Sequence, residues 1–322
     1  MLQNMAPAIL IAGATGNTGQ GVVATLPKLL SSSKIFSKYR IIAVTRTLES
    51  QRAQQLAKLP EVEVIQYNWV EITADWLREH QVARAFIASH NDPNQFAEES
   101  AFHVAALNAG LEYVVRISTT AANVHPNCRA YYPRSHWAIE TLLDSPEFAR
   151  LQWTSLQPNI FSGVWFRSAA EFIKQYTKTG RQDTLKLIAS KAAPVGIVDP
   201  FEVGVFAAHL LSQDDPATHN KAKYVLNGPE DITGGQIVGM VEQHIGTQVK
   251  DVIYNDVSFI DSIYDLNYEA TKQSRNVILS IKYGTETAWE GKCSTITTSR
   301  EVSSIAPPKR TPTEMLNALL AG

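Results

Sequence analysis

Residues 8–19 read AILIAGATGNTG, an unbroken apolar run followed by glycines at positions 13, 16 and 19. The run has the length and composition of a strand buried on both faces, and helical period sets in from position 19 to about 30. Glycines at that spacing, between a strand and a helix, are what a dinucleotide-binding turn requires. The chain must turn tightly, its backbone must approach a pyrophosphate, and the helix must pack closely on the strand. Amides exposed at the helix start, at the positive end of its dipole, then hold the phosphates. Gly13, Thr15, Gly16, Asn17, Thr18 and Gly19 are therefore expected around a pyrophosphate. The bland alternative is a glycine-rich turn that serves packing alone.

The same alternation continues outward. Strand-length apolar runs occur at 40–45, 62–67, 83–88, 113–118 and 153–157, and helical periods at 48–57, 73–80, 93–109 and 135–143. Strands alternating with helices predict a parallel sheet covered on both faces. After Gln157-Pro158 the order is less regular, with helical periods at 164–176, 200–211, 233–245 and 313–320. The expected fold class is α/β: a Rossmann-type doubly wound parallel sheet over residues 1–158, then a smaller α/β C-terminal substrate lobe over 159–322, part of which returns to the sheet. Residues 306–310 read as an extended surface segment, to which the sequence assigns no role.

Composition narrows the function classes. The 322 residues carry 29 Lys+Arg against 31 Asp+Glu, a net charge of -2, so no basic excess exists to neutralise a nucleic-acid backbone. Only Cys128 and Cys293 are present, with no C-x-x-C pair, which argues against a disulfide framework or a cysteine zinc site. The eight histidines are scattered, and no H-E-x-x-H or G-x-S-x-G occurs, so neither a metal site nor a serine hydrolase is expected. No basic leader precedes the first strand, and no run approaches membrane-span length. A cytoplasmic protein acting on a small molecule is expected, as monomer or homodimer, without membrane or direct nucleic-acid contacts.

The strand ends are where ligands of open α/β sheets bind. After the second strand the sequence reads IIAVTRTLES, with Arg46 directly past the strand and no acid before Glu49. An arginine there accommodates the 2′-phosphate of NADP, whereas an acid would accept from the 2′-hydroxyl of NAD, so NADP(H) is favoured over NAD(H). A solvated loop cation is the plainer reading. The fourth strand ends FIASHND, placing Ala88, Ser89 and His90 on the adenosine and ribose side, although His90 reads equally well as a surface residue.

Taken together, GATGNTG, AVTR, HWAIETLL, LQWTSLQPNIFSG and YVLNGPEDITGGQIVGMVEQHIG resemble the NmrA-like family of atypical short-chain dehydrogenase/reductases over most of the chain. The resemblance implies a nicotinamide cofactor held between a Rossmann domain and a small substrate lobe. The family includes quinone reductases, triphenylmethane-dye reductases, isoflavone-reductase-like enzymes and redox sensors that bind cofactor without turnover. In the wider superfamily a Tyr-x-x-x-Lys helix donates the proton. Here the corresponding segment is YYPRSHWAIE, so the resemblance puts Tyr132 in the tyrosine position and His136 in place of the lysine. His136 then has three readings: ribose anchor and proton donor, anchor alone, or a helix residue with no role at the site. The spacing of His136 and Glu140 resembles relatives that still reduce substrates. Pro133 biases Tyr132 away from helical dihedrals, which predicts a position just outside the helix.

The resemblance further suggests that a hydroxyl at RISTTAAN, Thr119 or Thr120 with Ser118 behind, binds the substrate carbonyl, and that Pro158, Asn159 and Phe161 face the nicotinamide. Tyr131, Phe161, Trp165 and Phe166 suit an aromatic substrate wall. The alternative is inter-lobe core, which fits Phe166 better, whereas Trp165 is expected in the cleft. The function expected is an NADPH-dependent reductase, or an isomerase using the same site, for an aromatic, quinone-like or enone small molecule, with a place in secondary metabolism. The alternative is an NmrA-type redox sensor that binds cofactor without turnover and has a protein partner.

Overall fold

Because successive strand side chains point to opposite faces, a strand that is apolar throughout must be covered on both sides. The computed structural model, which describes residues 6–261 and 273–322, shows this for the opening run. In β1 (Ala8–Ala12) all five residues are buried. Ile9 and Ile11 enter one core, Leu10 and Ala12 the other. The remaining strands are β2 (Arg40–Thr45), β3 (Val62–Gln66), β4 (Val82–Ile87), β5 (Tyr113–Ile117), β6 (Gln152–Pro158), β7 (Leu185–Lys186), β8 (Ala222–Leu226) and β9 (Val252–Ile253). Among the described residues seven of them form one parallel sheet in the order β3-β2-β1-β4-β5-β6-β8. β7 and β9 pair separately.

The helices up to residue 245 are α1 (Gly19–Ser32), α2 (Gln51–Leu56), α3 (Ala74–Glu79), α4 (Gln95–Ala109), α5 (Tyr131–Asp144), α6 (Ser162–Trp165), α7 (Arg167–Thr179), α8 (Pro200–Leu211) and α9 (Gly234–Ile245). Val22 and Leu26 of α1 and Phe206 and Leu210 of α8 pack on one face of the sheet. Leu77 of α3, Phe102 of α4 and Ile139 and Leu143 of α5 pack on the other. Each such side chain contributes about 1.5–3 kcal/mol on burial. Both cores therefore clamp β1, and the order of strands reverses between β1 and β4, opening a crevice at their carboxyl ends.

The chain beyond residue 158 does two things. It returns β8 and α8 to the large sheet, and it builds a third core in which Trp165, Phe172, Ile237, Val241 and Leu316 meet. The helix Pro312–Ala321 opens with a capping box of Thr311 and Glu314, and α9 with one of Thr233 and Gln236. Such reciprocal bonds satisfy two orphan amides at each start.

Several boundaries differ from the sequence pattern. The helix expected from 48 begins at Gln51, because Ser50 caps it by accepting from Ala53 N at 3.2 Å. The helix expected from 135 begins at Tyr131, so Tyr132 lies in its first turn rather than outside it. Proline is tolerated in a first turn, where its missing N–H has no intrahelical partner to lose. One helix expected over 164–176 is two, broken at Phe166. Short helices at Glu286–Trp289 and Arg300–Ile305 precede the segment expected to be extended, and Val302 is fully buried. Residues 306–310 remain non-helical, with the Glu202 carboxylate accepting from Lys309 N at 2.7 Å. Among the described residues no helix is long and apolar enough to cross a membrane.

Candidate functional site

The glycine turn has the geometry its spacing called for. Gly13 takes φ +85°, and a Cβ there would stand 2.9 Å from the Ala88 carbonyl oxygen. At Gly19 a Cβ would stand 2.1 Å from the Gly13 oxygen, a distance no side chain survives. Gly16 N closes the turn on Gly13 O at 2.9 Å. The amides of Asn17 and Thr18 meet no backbone carbonyl among the described residues. Donors at a helix start without internal partners are the elements of an anion site. The cradle thus fits a pyrophosphate, because glycine lets the turn close tightly against its own backbone and leaves the Asn17 and Thr18 amides to donate outward.

Arg46 is exposed and borders an open cavity of about 420 Å³ past β2 and β3, together with Gln66, Tyr67, Asn68 and Glu71. Glu49 is exposed and accepts from the Thr47 hydroxyl at 2.6 Å, which holds its carboxyl below the usual range. Arg52, for which the sequence pattern carries no mark, donates to the Thr15 carbonyl at 3.3 Å and so brings a cation to the glycine turn.

On the far side of the switch point the side chains are tied inward. Ser89 donates to Glu99 at 2.6 Å, and His90 bonds Glu98 while its ring lies 5.8 Å from that of Trp69. Glu99 itself is buried and receives Arg116 Nε at 2.6 Å. Arg116, in the middle of β5, also donates to Ser155 Oγ at 2.9 Å and to His136 Nδ1 at 2.8 Å, and lies 3.6 Å from Glu140. Lys223 reaches the other Glu140 oxygen at 3.2 Å from the rim. Two cations thus match two carboxylates.

That arrangement fixes the state of His136. A guanidinium can only donate, so Nδ1 must accept and the ring proton resides on Nε2, which faces Asn91 Oδ1 at 3.2 Å. Burial, with the Arg116 cation adding to it, pushes the His136 pKa down to about 3. Burial works to raise Glu99 and Glu140, but Arg116 and the other donors around them more than offset it, and both stay ionised below their ordinary range. His136 is 1% exposed and neutral, so it has no proton to give near neutral pH. The reading of His136 as proton donor is corrected on this ground: the group that neighbours it is a buried cation, which expels a second positive charge. An exposed anchor for a ribose is likewise not what its burial offers.

The hydroxyl that remains is Tyr132. Burial pushes it up to about 12, with Thr119 as the hydrogen-bonding neighbour that draws it partly back. Ser118 and Thr120 are buried behind. Tyr131 donates to the Asn91 carbonyl, and burial pushes it too up to about 12. Asn159, expected to meet the cofactor, is committed inside the protein: its amide donates to Asn227 and, at 3.2 Å, to the Cys293 carbonyl. Pro158 closes β6, and Phe161 bridges to Val198 and packs on the first core. Trp165 is 1% exposed and Phe166 fully buried, both in the third core. The expectation of Trp165 as cleft wall is therefore corrected. It sits on the one-turn α6, whose inner face closes on helix Pro312–Ala321. No group of three or more metal-ligating side chains occurs among the described residues.

Arg116 is the residue the sequence could have signalled. An arginine inside the apolar run YVVRIS has to be buried and therefore paired. Its partners, 17 and 24 positions away, carry no such mark.

The profile of the NmrA-like family matches residues 5–276. No curated protein matches the chain. Among solved structures, NADPH-dependent quinone oxidoreductase QOR2 from Escherichia coli, complexed with NADPH, is similar at 20% identity and a TM-score of 0.70, over 97% of this chain and 99% of that one. The Citrobacter sp. triphenylmethane reductase complexed with NADP(H) shares 19% identity at a TM-score of 0.66, over 97% and 100%. NmrA, a negative transcriptional regulator in complex with NADP, shares 13% at 0.62, over 99% and 92%. At these identities the likeness establishes the fold, while the family profile spans most of the sequence: the chain belongs to the NmrA-like family.

Proposed function

We propose that this protein is an NADPH-dependent reductase of a planar aromatic, quinone-like or enone small molecule. The observation that carries the reading is the convergence of a glycine turn with uncommitted amides and the Tyr132 hydroxyl at the carboxyl ends of the same parallel sheet. The similarity to reductases crystallised with NADPH and NADP(H) supports the cofactor. Bound there, NADPH would supply a hydride from its nicotinamide ring. The amides at the start of α1 would hold the pyrophosphate, and Arg46, with Arg52 nearby, the 2′-phosphate.

The acid chemistry points to the substrate class. Among the described residues no lysine or protonated histidine stands beside Tyr132 to lower its pKa, so its hydroxyl keeps its proton and gives it up poorly. Simple carbonyls, whose reduction develops a localised alkoxide, are poorly served by such a donor. Quinones and extended enones spread that charge over a conjugated system, and the proton can follow from water. Tyr132 and Thr119 then orient the accepting oxygen rather than drive the step. The test is NADPH consumption by purified protein across a panel of quinones, enones and simple ketones. Turnover confined to the conjugated acceptors is expected; binding of NADPH with no consumption on any of them refutes the reading.

One observation favours a second reading, a redox sensor: the residue in the lysine position is buried and neutral. A sensor needs different affinities for oxidised and reduced cofactor. Equal affinities with measurable turnover exclude it.

A further inference from the structure

The segment from Arg275 to Trp289 crosses the start of α5 and the loop after β5, yet of its residues only Ala288 is fully buried. Its attachments to the Rossmann side are polar. Asn123, 2% exposed, donates from Nδ2 to Gly284 O at 2.8 Å and accepts at Oδ1 from Thr287 Oγ1 at 3.1 Å. Ser280 Oγ accepts from Tyr131 N at 3.1 Å. At the surface Arg129 pairs with Glu286 at 2.6 Å, its guanidinium carbon 3.5 Å over the Tyr283 ring. The far end is fixed differently: Trp289 donates to Ile188 O at 2.8 Å, and Ala288 joins the third core. Under this segment lies the Tyr132 hydroxyl. A Cβ on Gly284 would stand 2.6 Å from that oxygen, so the backbone rests directly on it.

We infer that residues 277–286 form a cover over the Tyr132 hydroxyl and that Asn123 is the positioning residue that latches it, which sets how large a substrate can reach that hydroxyl. The inference rests on the reductase reading, in which Tyr132 faces substrate. A molecule that reaches the Tyr132 hydroxyl from the side of Gly284 has to displace that residue, because both cannot occupy the same side of one oxygen. The displacement is cheap in packing terms, since a stretch with little apolar burial opens at a small fraction of the global unfolding free energy. What holds it is a buried amide that grips Gly284 within the cover and Thr287 at its edge, supported by the Ser280 and Glu286 contacts, while the Ala288 end serves as the fixed side of a hinge. Covers of this kind govern access and the exclusion of water rather than the bond-making step.

Hydrogen exchange in residues 277–286 tests the latch, alongside NADPH affinity and steady-state turnover with benzoquinone and the bulkier phenanthrenequinone. Asn123→Ala is expected to speed exchange in the cover about tenfold, equivalent to about 1.4 kcal/mol of opening. Its kcat/KM ratio for phenanthrenequinone over benzoquinone should rise about fivefold, through KM, with NADPH affinity unchanged. Asn123→Asp, which keeps the acceptor for Thr287, should fall between. Arg129→Ala, a surface change that leaves the core intact, should speed exchange about threefold and decides the matter if Asn123→Ala does not fold. Unchanged exchange in the folded variants overturns the latch, and an unchanged selectivity ratio in an enzyme that turns over overturns its role in access. Absence of turnover in every variant, wild type included, defeats the reductase reading, and the exchange rates still decide the latch.

Discussion

The glycine turn and the Arg116 cluster lie on two sides of one switch point and are built by opposite rules. In the turn every requirement is local: Gly13 and Gly19 lack side chains because backbone atoms six residues apart or one strand away occupy that space. In the cluster every requirement is distant: Arg116 of β5 is neutralised by Glu99 of α4 and Glu140 of α5, and it sets the proton of His136. The first kind of site can be read along the chain, because spacing is its content. The second cannot, because a residue type there means nothing until its partners are known.

The contrast is most sharply broken at Arg116. Arg116→Met leaves the buried Glu99 carboxylate without its cation, although Glu140 keeps Lys223, and should cost about 3–5 kcal/mol in denaturant unfolding, as breaking a buried pair does. A loss below about 1 kcal/mol, the scale of an exposed pair, would show the cluster to be solvated and ordinary. On the other side, Gly19→Ala, whose Cβ presses on the Gly13 carbonyl, should destabilise the turn and weaken NADPH binding about a hundredfold by calorimetry, corresponding to about 2.7 kcal/mol. Retained affinity there would separate the turn from the cofactor altogether.

His136 makes the Arg116 cluster sensitive to pH. Its folded pKa of about 3 lies below its unfolded value near 6.5, so the unfolded chain binds the extra proton and stability falls as pH drops below about 6.5. One such group contributes about 1.4 kcal/mol per pH unit between about 6 and 4. His136→Gln, whose carbonyl can still accept from Arg116, should flatten the stability profile by that slope and leave turnover near neutral pH within about twofold, where a proton donor would cost 10²–10⁴-fold. His103 is buried with a lowered pKa of its own, so a residual slope remains in the variant. The smallest effect is expected at Arg46. Arg46→Gln should weaken NADPH about five- to tenfold and leave NADH unchanged, as the loss of one partly solvated charge-assisted contact implies.

Particular elements show how far local pattern reaches. β1, β2 and α8 have the bounds their apolar runs announced. Capping shortened the helix before Ala57, since Ser50 stops at a cap what the hydrophobic period would have extended. β8 carries little strand signal because AKYVL is brief and interrupted by Lys223, as an edge strand covered on one side can be. Among site residues, those of the glycine turn fell where the spacing put them. Trp165 and Asn159 did not, because an aromatic or an amide near a strand end suits a cleft and a core equally, and here the third core and Cys293 claim them.

By itself the sequence determined the parallel sheet and the tight glycine turn after its first strand, because strand period and glycine spacing act within a few positions of one another. Only the tertiary structure decided that His136 is neutral and sealed, that Asn123 grips the segment over Tyr132, and which aromatics are core. Charge state and access depend on what is brought near from far along the chain, and burial makes each of those neighbours count.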